Sequence, residues 1–507
     1  MLICKMLRLG AALCLLAVIV PLYAQLGHNG IVSGIVTAPD GSQVANAIVT
    51  LSGADGFTRN TTTAAHGTFS LVDLPSGTYT LQAASPGFAT FTQSSVSVAV
   101  GRNTHLTLTL AVASAQQTVN VTVSQTAFDT SQTSSVVNID RDRVEELPIP
   151  NRNYLTFVAL SPQAAPANPA LTQQTLAQGN GGFSFGGLRP GSNAVSIDSV
   201  DDDDEYSGSS RTQLSPEAIS DFQIVNHGFS AESGGAAGGS IDVQTRSGLN
   251  RPHGDAFLFV QNGAFNGTPP LGLSPYKPDE TRIRAGVALG GAIQRDKTFY
   301  YLAAEQEIAH GEDTNELNPA TIGQINSALG QNGALQGLAL QSGFFPTTDQ
   351  ETELSGRIDR VLTPRHSAML RYAFTNTRNV NDAFNADELA DRSARGSSFT
   401  ADDSLNGTST STLRTSILNK LSFEVSQRRA VERTGSTAYP GVLIPGVALL
   451  GTPYAGNNRR FETHLELEDG LLLQRKHHLF QAGAGVNRVA LRAQVQTAAA
   501  ASLSFRH

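Results

Sequence analysis

At 507 residues, 40% of them apolar, the chain is long enough for two or three domains and can give each a hydrophobic core, which excludes a disordered protein. Its 35 Lys+Arg against 43 Asp+Glu leave a net charge of -8 with no basic stripe, which excludes nucleic acid as a partner. Both cysteines, Cys4 and Cys14, lie at the extreme N-terminus, so the rest of the chain offers no disulfide, thiolate nucleophile or cysteine-bound metal, and no cofactor is expected.

Lys5 and Arg8 precede an apolar run from Leu9 to Val20 that ends near the small residue Ala24, the anatomy of a secretory signal peptide over residues 1–24. An N-terminal membrane anchor is the other reading of this segment, although its core is too short to span a bilayer as a helix. No later stretch approaches the ~20 continuous apolar residues of a spanning helix. A soluble secreted protein and an outer-membrane barrel with alternating strands both stay open.

Residues 30–113 read as a small β-sandwich of about seven short strands. Ile31–Thr37 and Ala47–Leu51 flank the turn Pro39-Asp40-Gly41, and Gly67–Leu71 and Thr78–Leu81 flank Leu74-Pro75-Ser76-Gly77. A final alternating run places Leu106, Leu108 and Leu110 on one face. With Gly34, Gly67-Thr68-Phe69 and Pro86-Gly87-Phe88, this series resembles the carboxypeptidase regulatory-like, transthyretin-like domain, a non-catalytic accessory module. His66 and His105 stand alone, without partners at zinc-ligand spacing, and are expected to be ordinary surface residues.

Residues 114–133, rich in Ser, Thr, Gln and Val, form a linker. Within it, Gln117–Val123 is an extended, β-branched segment suited to adding onto the edge of a partner sheet; it also reads as the last strand of the sandwich. The segment resembles the TonB box, by which a periplasmic energy transducer pulls on its receptor. That resemblance gives Thr118, Val119, Asn120, Val121, Thr122 and Val123 the role of partner-binding residues.

Over residues 134–250 a strand at Val136–Asp140 leads into a short helix ended by Pro148, and a second short helix is expected near Tyr154–Leu160. Glu146-Leu147-Pro148, Asn151-Arg152-Asn153, Gly187-Leu188-Arg189 with Asn193, Ile197-Asp198, Pro216–Ile219, Phe229–Gly234 and Gly238–Val243 follow in an order that resembles the plug domain of Oar-like TonB-dependent receptors. The resemblance singles out Gly187, Arg189, Asn193 and Asp198 as plug-motif residues. One departure is visible: Ser199 and the run Asp201–Glu205 stand where such plugs continue with glycine and a mixed polar loop. Five carboxylates could gather Ca²⁺, but the run lacks the glycine and distal glutamate of a calcium loop, so a solvated, self-repelling loop is expected and no metal site is assigned.

Residues 254–507 alternate in several stretches: Ala368, Leu370, Tyr372 and Phe374 against Ser367, Arg371 and Thr375, and Leu421, Phe423 and Val425 against Ser422, Glu424 and Ser426. Such strands suit a barrel with lipid outside and water inside, or any sheet packed on one face. Ala285–Ile293 with Asp296–Tyr301 resembles the first barrel hairpin of Oar-like receptors, and 309–349 and 376–406 fit long polar extracellular loops. Closing about 22 strands needs on the order of 300 residues at about 10 per strand, more than this segment contains. The expected fold is therefore mainly β: a small β-sandwich, an α+β plug domain and a partial antiparallel transmembrane β-barrel.

The resemblance implies an outer-membrane TonB-dependent receptor that meets membrane lipid and a periplasmic TonB transducer and takes up a bulky siderophore, oligosaccharide or peptide. The alternative is a truncated receptor that acts only as a surface binding or structural protein. An enzyme is not expected, because no nucleophile or paired-carboxylate constellation is present.

Overall fold

A computed structural model of the chain describes residues 30–504 apart from short segments, the longest being 121–134, 167–181 and 268–278. The expected signal peptide lies outside the described residues, as do Thr118, Val121, Thr122 and Val123 of the candidate coupling segment.

The N-terminal unit contains β1 (Gly30–Thr37), β2 (Ile48–Gly53), β3 (Thr58–Thr62), β4 (Thr68–Leu74), β5 (Gly77–Ala84), β6 (Phe91–Val98), β7 (Asn103–Thr109) and β8 (Val119–Asn120). They form two sheets, β4-β1-β7 and β3-β2-β5-β6-β8. Alternate residues such as Val32, Val36, Val49, Leu51, Phe69, Leu71, Leu81 and Leu108 interleave in the core between them. Gly34 on β1 is needed because β7 runs so close that an added Cβ would fall 1.9 Å from the Leu106 carbonyl oxygen.

The second unit centres on a five-stranded sheet in the order β13-β12-β15-β14-β9, made of β9 (Ser135–Ile139), β12 (Ala194–Ile197), β13 (Val200–Asp201), β14 (Ile219–His227) and β15 (Ser240–Thr245). A small hairpin, β10 (Ala164–Pro166) with β11 (Phe183–Phe185), lies beside it. Helix α1 (Arg141–Glu146) begins at Asp140, whose side chain accepts from the Arg143 backbone N–H and so satisfies a donor that the first helical turn leaves open. Tyr154–Leu160 forms a 3₁₀ helix, and its Tyr154 and Phe157 rings pack on Phe222 of β14 with centroids 6.4 and 5.7 Å away.

The third unit is one antiparallel sheet of nine strands: β16 (His253–Asn262), β17 (Thr281–Gln294), β18 (Thr298–Asn315), β19 (Gly343–Thr363), β20 (His366–Asp382), β21 (Gly396–Arg414), β22 (Ile417–Thr434), β25 (Arg459–Arg475) and β26 (His478–Gln494). Its two sides reverse the usual sorting. Leu302, Leu354, Ile358, Leu370, Tyr372 and Leu467 are exposed on the outer side, whereas Arg284, Glu305, Glu353, Arg371, Asn406, Glu424, Arg428 and Arg460 are buried on the inner side. A sheet with apolar residues outward and charges inward is stable only where lipid lies outside and polar matter fills the interior. The wall's edge strands β16 and β26 are not paired with each other, so the described barrel is open.

The strands are longer than the ~10 residues expected for a bilayer crossing, reaching 21 in β19. Much of the presumptive loop sequence is therefore strand: polar residues 309–315 and 376–382 continue the ladders, because their side chains can face the lumen or project beyond the apolar belt. What remains of the connections folds. Helix α2 (Pro319–Gly330) and the short pair β23 (Gly441–Ile444) and β24 (Ala448–Leu450), from two different hairpins, share a core of Leu329, Leu335, Leu338, Leu340, Val442 and Leu450. The β20–β21 connection joins this cap through a bridge from Ala390 to Leu449 and through Asp391, which accepts from the Gln341 backbone N–H. β27 (Ser502–Ser504) adds parallel to β23.

Leu354 lies on the outer face between Ala304 and Phe374 of the neighbouring strands. Leu354→Arg is expected to weaken insertion into lipid vesicles by about 2–4 kcal/mol, read from denaturant titrations of the folded state, whereas Glu353→Gln, one residue along on the luminal face, should show no comparable loss of lipid partitioning.

Candidate functional site

The plug sheet meets the wall through charge. β12 and β13 are joined by a two-residue turn in which Asp198 (φ +52°) and Ser199 (φ +71°) both take left-handed backbone, the geometry of a tight I′ hairpin. Glycine or asparagine fits such positions better than serine, yet Ser199 earns its place by accepting a hydrogen bond from Lys420 Nζ of β22 at 2.6 Å. The Asp198 carboxylate, 2% exposed, accepts from the Thr245 backbone N–H (2.9 Å) and hydroxyl (2.7 Å). It is also flanked by two wall arginines, Arg357 (3.1 Å) and Arg371 (2.8 Å). Burial alone would raise its pKa, but Arg357 and Arg371 outweigh burial and hold it below the ordinary carboxylate range.

The acidic run that follows is not a solvated loop. Asp204 is 0% exposed and receives two parallel 2.7 Å hydrogen bonds from Arg460 of β25, itself 0% exposed, with Arg428 of β22 at 3.5 Å. Asp202, also buried, accepts from the Ser210 hydroxyl (2.5 Å) and the Thr212 backbone N–H (3.0 Å). Asp201 donates its backbone N–H to Glu466 (3.0 Å) and accepts from Asn487 (3.1 Å), and only Glu205 is fully exposed. The expectation of a solvated loop fails because Arg460 and Arg428 on the inward side of the wall hold Asp204 in the interior, although Asp201 and Asp203 still repel each other. Among the described residues no group of three or more His, Cys, Asp or Glu is placed to hold a metal.

Polarity reverses next to this patch. Arg211 of the plug is buried against Glu424 (3.2 Å) and donates to the Ser426 hydroxyl and the Asp201 carbonyl. Burial would lower its pKa, but Glu424 and Asp202 raise it instead, so Arg211 stays charged. On the far side of the plug, Arg152 bridges Glu217 (3.2 Å) and wall residue Glu305 (3.1 Å), while Arg141 holds Glu217 at 2.6 Å. The wall's Tyr301 hydroxyl donates to the Glu217 carbonyl at 2.8 Å. Burial raises the Glu217 pKa, and Arg141 and Arg152 more than reverse it.

Of the four plug-motif residues, only Asp198 enters this network. Gly187 occupies a left-handed turn (φ +84°) with open space around it, Arg189 is exposed, and Asn193 donates to the Phe183 carbonyl at 2.5 Å. Val119 and Asn120 of the candidate coupling segment form β8, parallel to β6. The site residues that sequence reasoning passed over are the wall arginines Arg357, Arg371, Arg428 and Arg460. Their one signal was parity, since each sits at an inward position of an alternating strand.

A charge-lined sheet packed on a plug, with apolar residues facing outward, has the architecture of an outer-membrane barrel protein. Residues 31–111 match the carboxypeptidase regulatory-like domain and residues 244–321 an outer membrane beta barrel domain. The TonB-dependent transporter Oar of Myxococcus xanthus is 23% identical over 311 residues, covering 58% of this chain and 28% of Oar. Among solved structures, the outer membrane transporter YddB from Escherichia coli has a TM-score of 0.50 at 11% identity, over 71% of this chain and 48% of that one. The siderophore receptor PirA from Acinetobacter baumannii has a TM-score of 0.47 at 16% identity, over 71% and 48%. The chain is a homologue of the TonB-dependent transporter Oar and a protein of the outer membrane. It spans less than a third of that relative's length and about half of the solved structures'.

Breaking a buried pair leaves an uncompensated charge, so Arg460→Ala should cost about 3–5 kcal/mol, read from denaturant midpoints or protease sensitivity of the plug. Two further aspartates should respond to pH with opposite sign. Asp198, whose folded pKa is lowered, stabilises above its unfolded pKa and loses that contribution as pH falls through the folded value. Burial and then Asp201 raise the pKa of Asp203, so its cost appears as pH rises past the unfolded value. Asp198→Asn is thus expected to lower the melting temperature at pH 7 and Asp203→Asn to raise it, with both differences shrinking toward pH 3.

Proposed function

We propose that this chain acts in energy-coupled uptake: a periplasmic TonB-type transducer grips Thr118–Val123 and pulls, the plug shifts within the wall, and a bulky ligand passes. The observation that carries this reading is the plug itself, held in a polar lumen by ion pairs that can exchange partners with water. A greasy interface would resist such exchange, whereas charges leaving one another can be rehydrated at once. Homologues are transporters and receptors, and we take this chain likewise not to be an enzyme.

The domain limits proposed with this reading are a signal peptide at 1–24, a sandwich at 30–113, a linker at 114–133, a plug at 134–250 and the wall at 254–507. The ligand class stays with three bulky candidates, a siderophore, an oligosaccharide or a peptide. A second reading is a truncated receptor that acts only as a surface binding or structural protein, without transport.

Deleting residues 117–123 is expected to abolish gene-dependent growth on the limiting iron or carbon source while membrane insertion, read by heat-modifiable mobility, stays normal. Unchanged growth would leave the non-transporting reading standing.

A further inference from the structure

The sandwich touches the wall at its periplasmic end, where tight turns join the strands. Ile31 of β1 packs against Leu418 of β22 and Leu472 of β25, which face each other near those turns. Elsewhere at the same end, Phe57 to Asn60 of the sandwich close one side of a cavity of about 720 Å³ whose other sides belong to the plug and the wall. Its lining carries six arginine and lysine side chains against three aspartates. Two of the six are matched, Arg141 by Glu217 outside the cavity and Arg357 by Asp198 and Asp359. The other cations are Arg59 of the sandwich, Arg246 of the plug, and Arg360 and Lys420 of the wall; the lining sets only Asp296 against them, and Asn250 already holds Asp296 at 2.7 Å.

We propose that this cavity binds a small organic polyanion, a molecule bearing carboxylate or phosphate groups, which joins the sandwich to the plug and the wall. Arg246 is the residue best placed to change partner. Its guanidinium lies over Tyr301, 4.9 Å from the ring centre, and its ion-pair partner Asp255 stands 3.8 Å away, beyond hydrogen-bond reach, with a side chain 56% exposed. An exposed pair of that length contributes little, so an anion in the cavity can take the guanidinium at small cost. Across the cavity, Arg59 lies 5.8 Å over the Phe57 ring, Lys420 donates to the neutral Ser199 hydroxyl, and Arg360 is exposed. Cations from three units set around one hollow focus a positive potential there, and a ligand with several negative groups cancels it better than a single charge does. Leu249, Phe299, Val361 and Met369 in the same lining offer apolar surface to the ligand's carbon frame. The volume falls in the range of about 300–1,000 Å³ that small-molecule sites occupy.

The test uses the full chain reconstituted in neutral phosphatidylcholine vesicles, with citrate and pyrophosphate as probes and binding read by isothermal titration calorimetry. One saturable site is expected for at least one probe. Arg59→Gln in the sandwich and Arg246→Gln in the plug should each weaken it by ~10-fold or more, since each removes a charge-assisted hydrogen bond. Arg143→Gln, at an exposed plug position outside the cavity, should leave it unchanged. Weakening in only one of the two cavity variants overturns the shared site, because the anion would then rest on one unit without the other. Equal binding by all variants, or no saturable binding of either probe, overturns the cavity as an anion site. Binding that appears only when phosphatidylglycerol is added to the vesicles assigns the cations to lipid headgroups and overturns the small-molecule ligand.

Discussion

Hydrocarbon cannot accept or donate a hydrogen bond, and that one constraint sorts the wall residue by residue. Along β22 it sends Leu421 and Phe423 outward and turns Lys420, Ser422, Glu424, Ser426 and Arg428 inward. Once the inward side carries this many charges, any body that fills the lumen must carry their complement. Asp198, Asp204 and Arg211 meet that demand, and their positions on the plug follow from where Arg371, Arg460 and Glu424 fall on the strands.

Such an interface specifies more than it stabilises. Removing two charges from water offsets most of what their attraction returns, so a buried pair adds little net stability, although losing one partner is severe. The mixture of signs adds direction. Plug carboxylates face wall arginines at one patch, while a plug arginine faces a wall glutamate beside it, so a plug rotated or shifted by one strand would set like charges together. The plug is seated in one orientation without being glued there.

How much of this was readable from the residues depends on the range of the cause. Local causes were legible: Asp140 capping a helix, the turn at Pro39-Asp40-Gly41, and the alternation in β20 and β22 all act within a few residues. Non-local ones were not. The run Asp201–Glu205 looks solvated when read alone, because its partners Arg428, Arg460 and Asn487 lie more than 200 positions away in the chain. The loops were overestimated for a related reason. A strand that leaves the apolar belt may turn polar on both faces without ending, so polarity alone does not mark where a ladder stops. The coupling segment kept two readings because a short β-branched run serves equally as a last strand or as a handle, and β8 shows only its pairing with β6.

The cap above the wall has a mechanical meaning. Loops of separate hairpins ordinarily fluctuate separately, and an object arriving at the mouth would press on one without informing the rest. Here Leu329 and Leu340 from one connection, Val442 and Leu450 from another, and Ala390 beside Leu449 from a third are packed into adjoining cores. A push on any of the three connections is borne by all of them, and the long ladders of β18, β19, β20 and β21 carry it down toward the inward charges that seat the plug. The three connections are thus packed into one continuous body at the end of the wall instead of standing as separate loops.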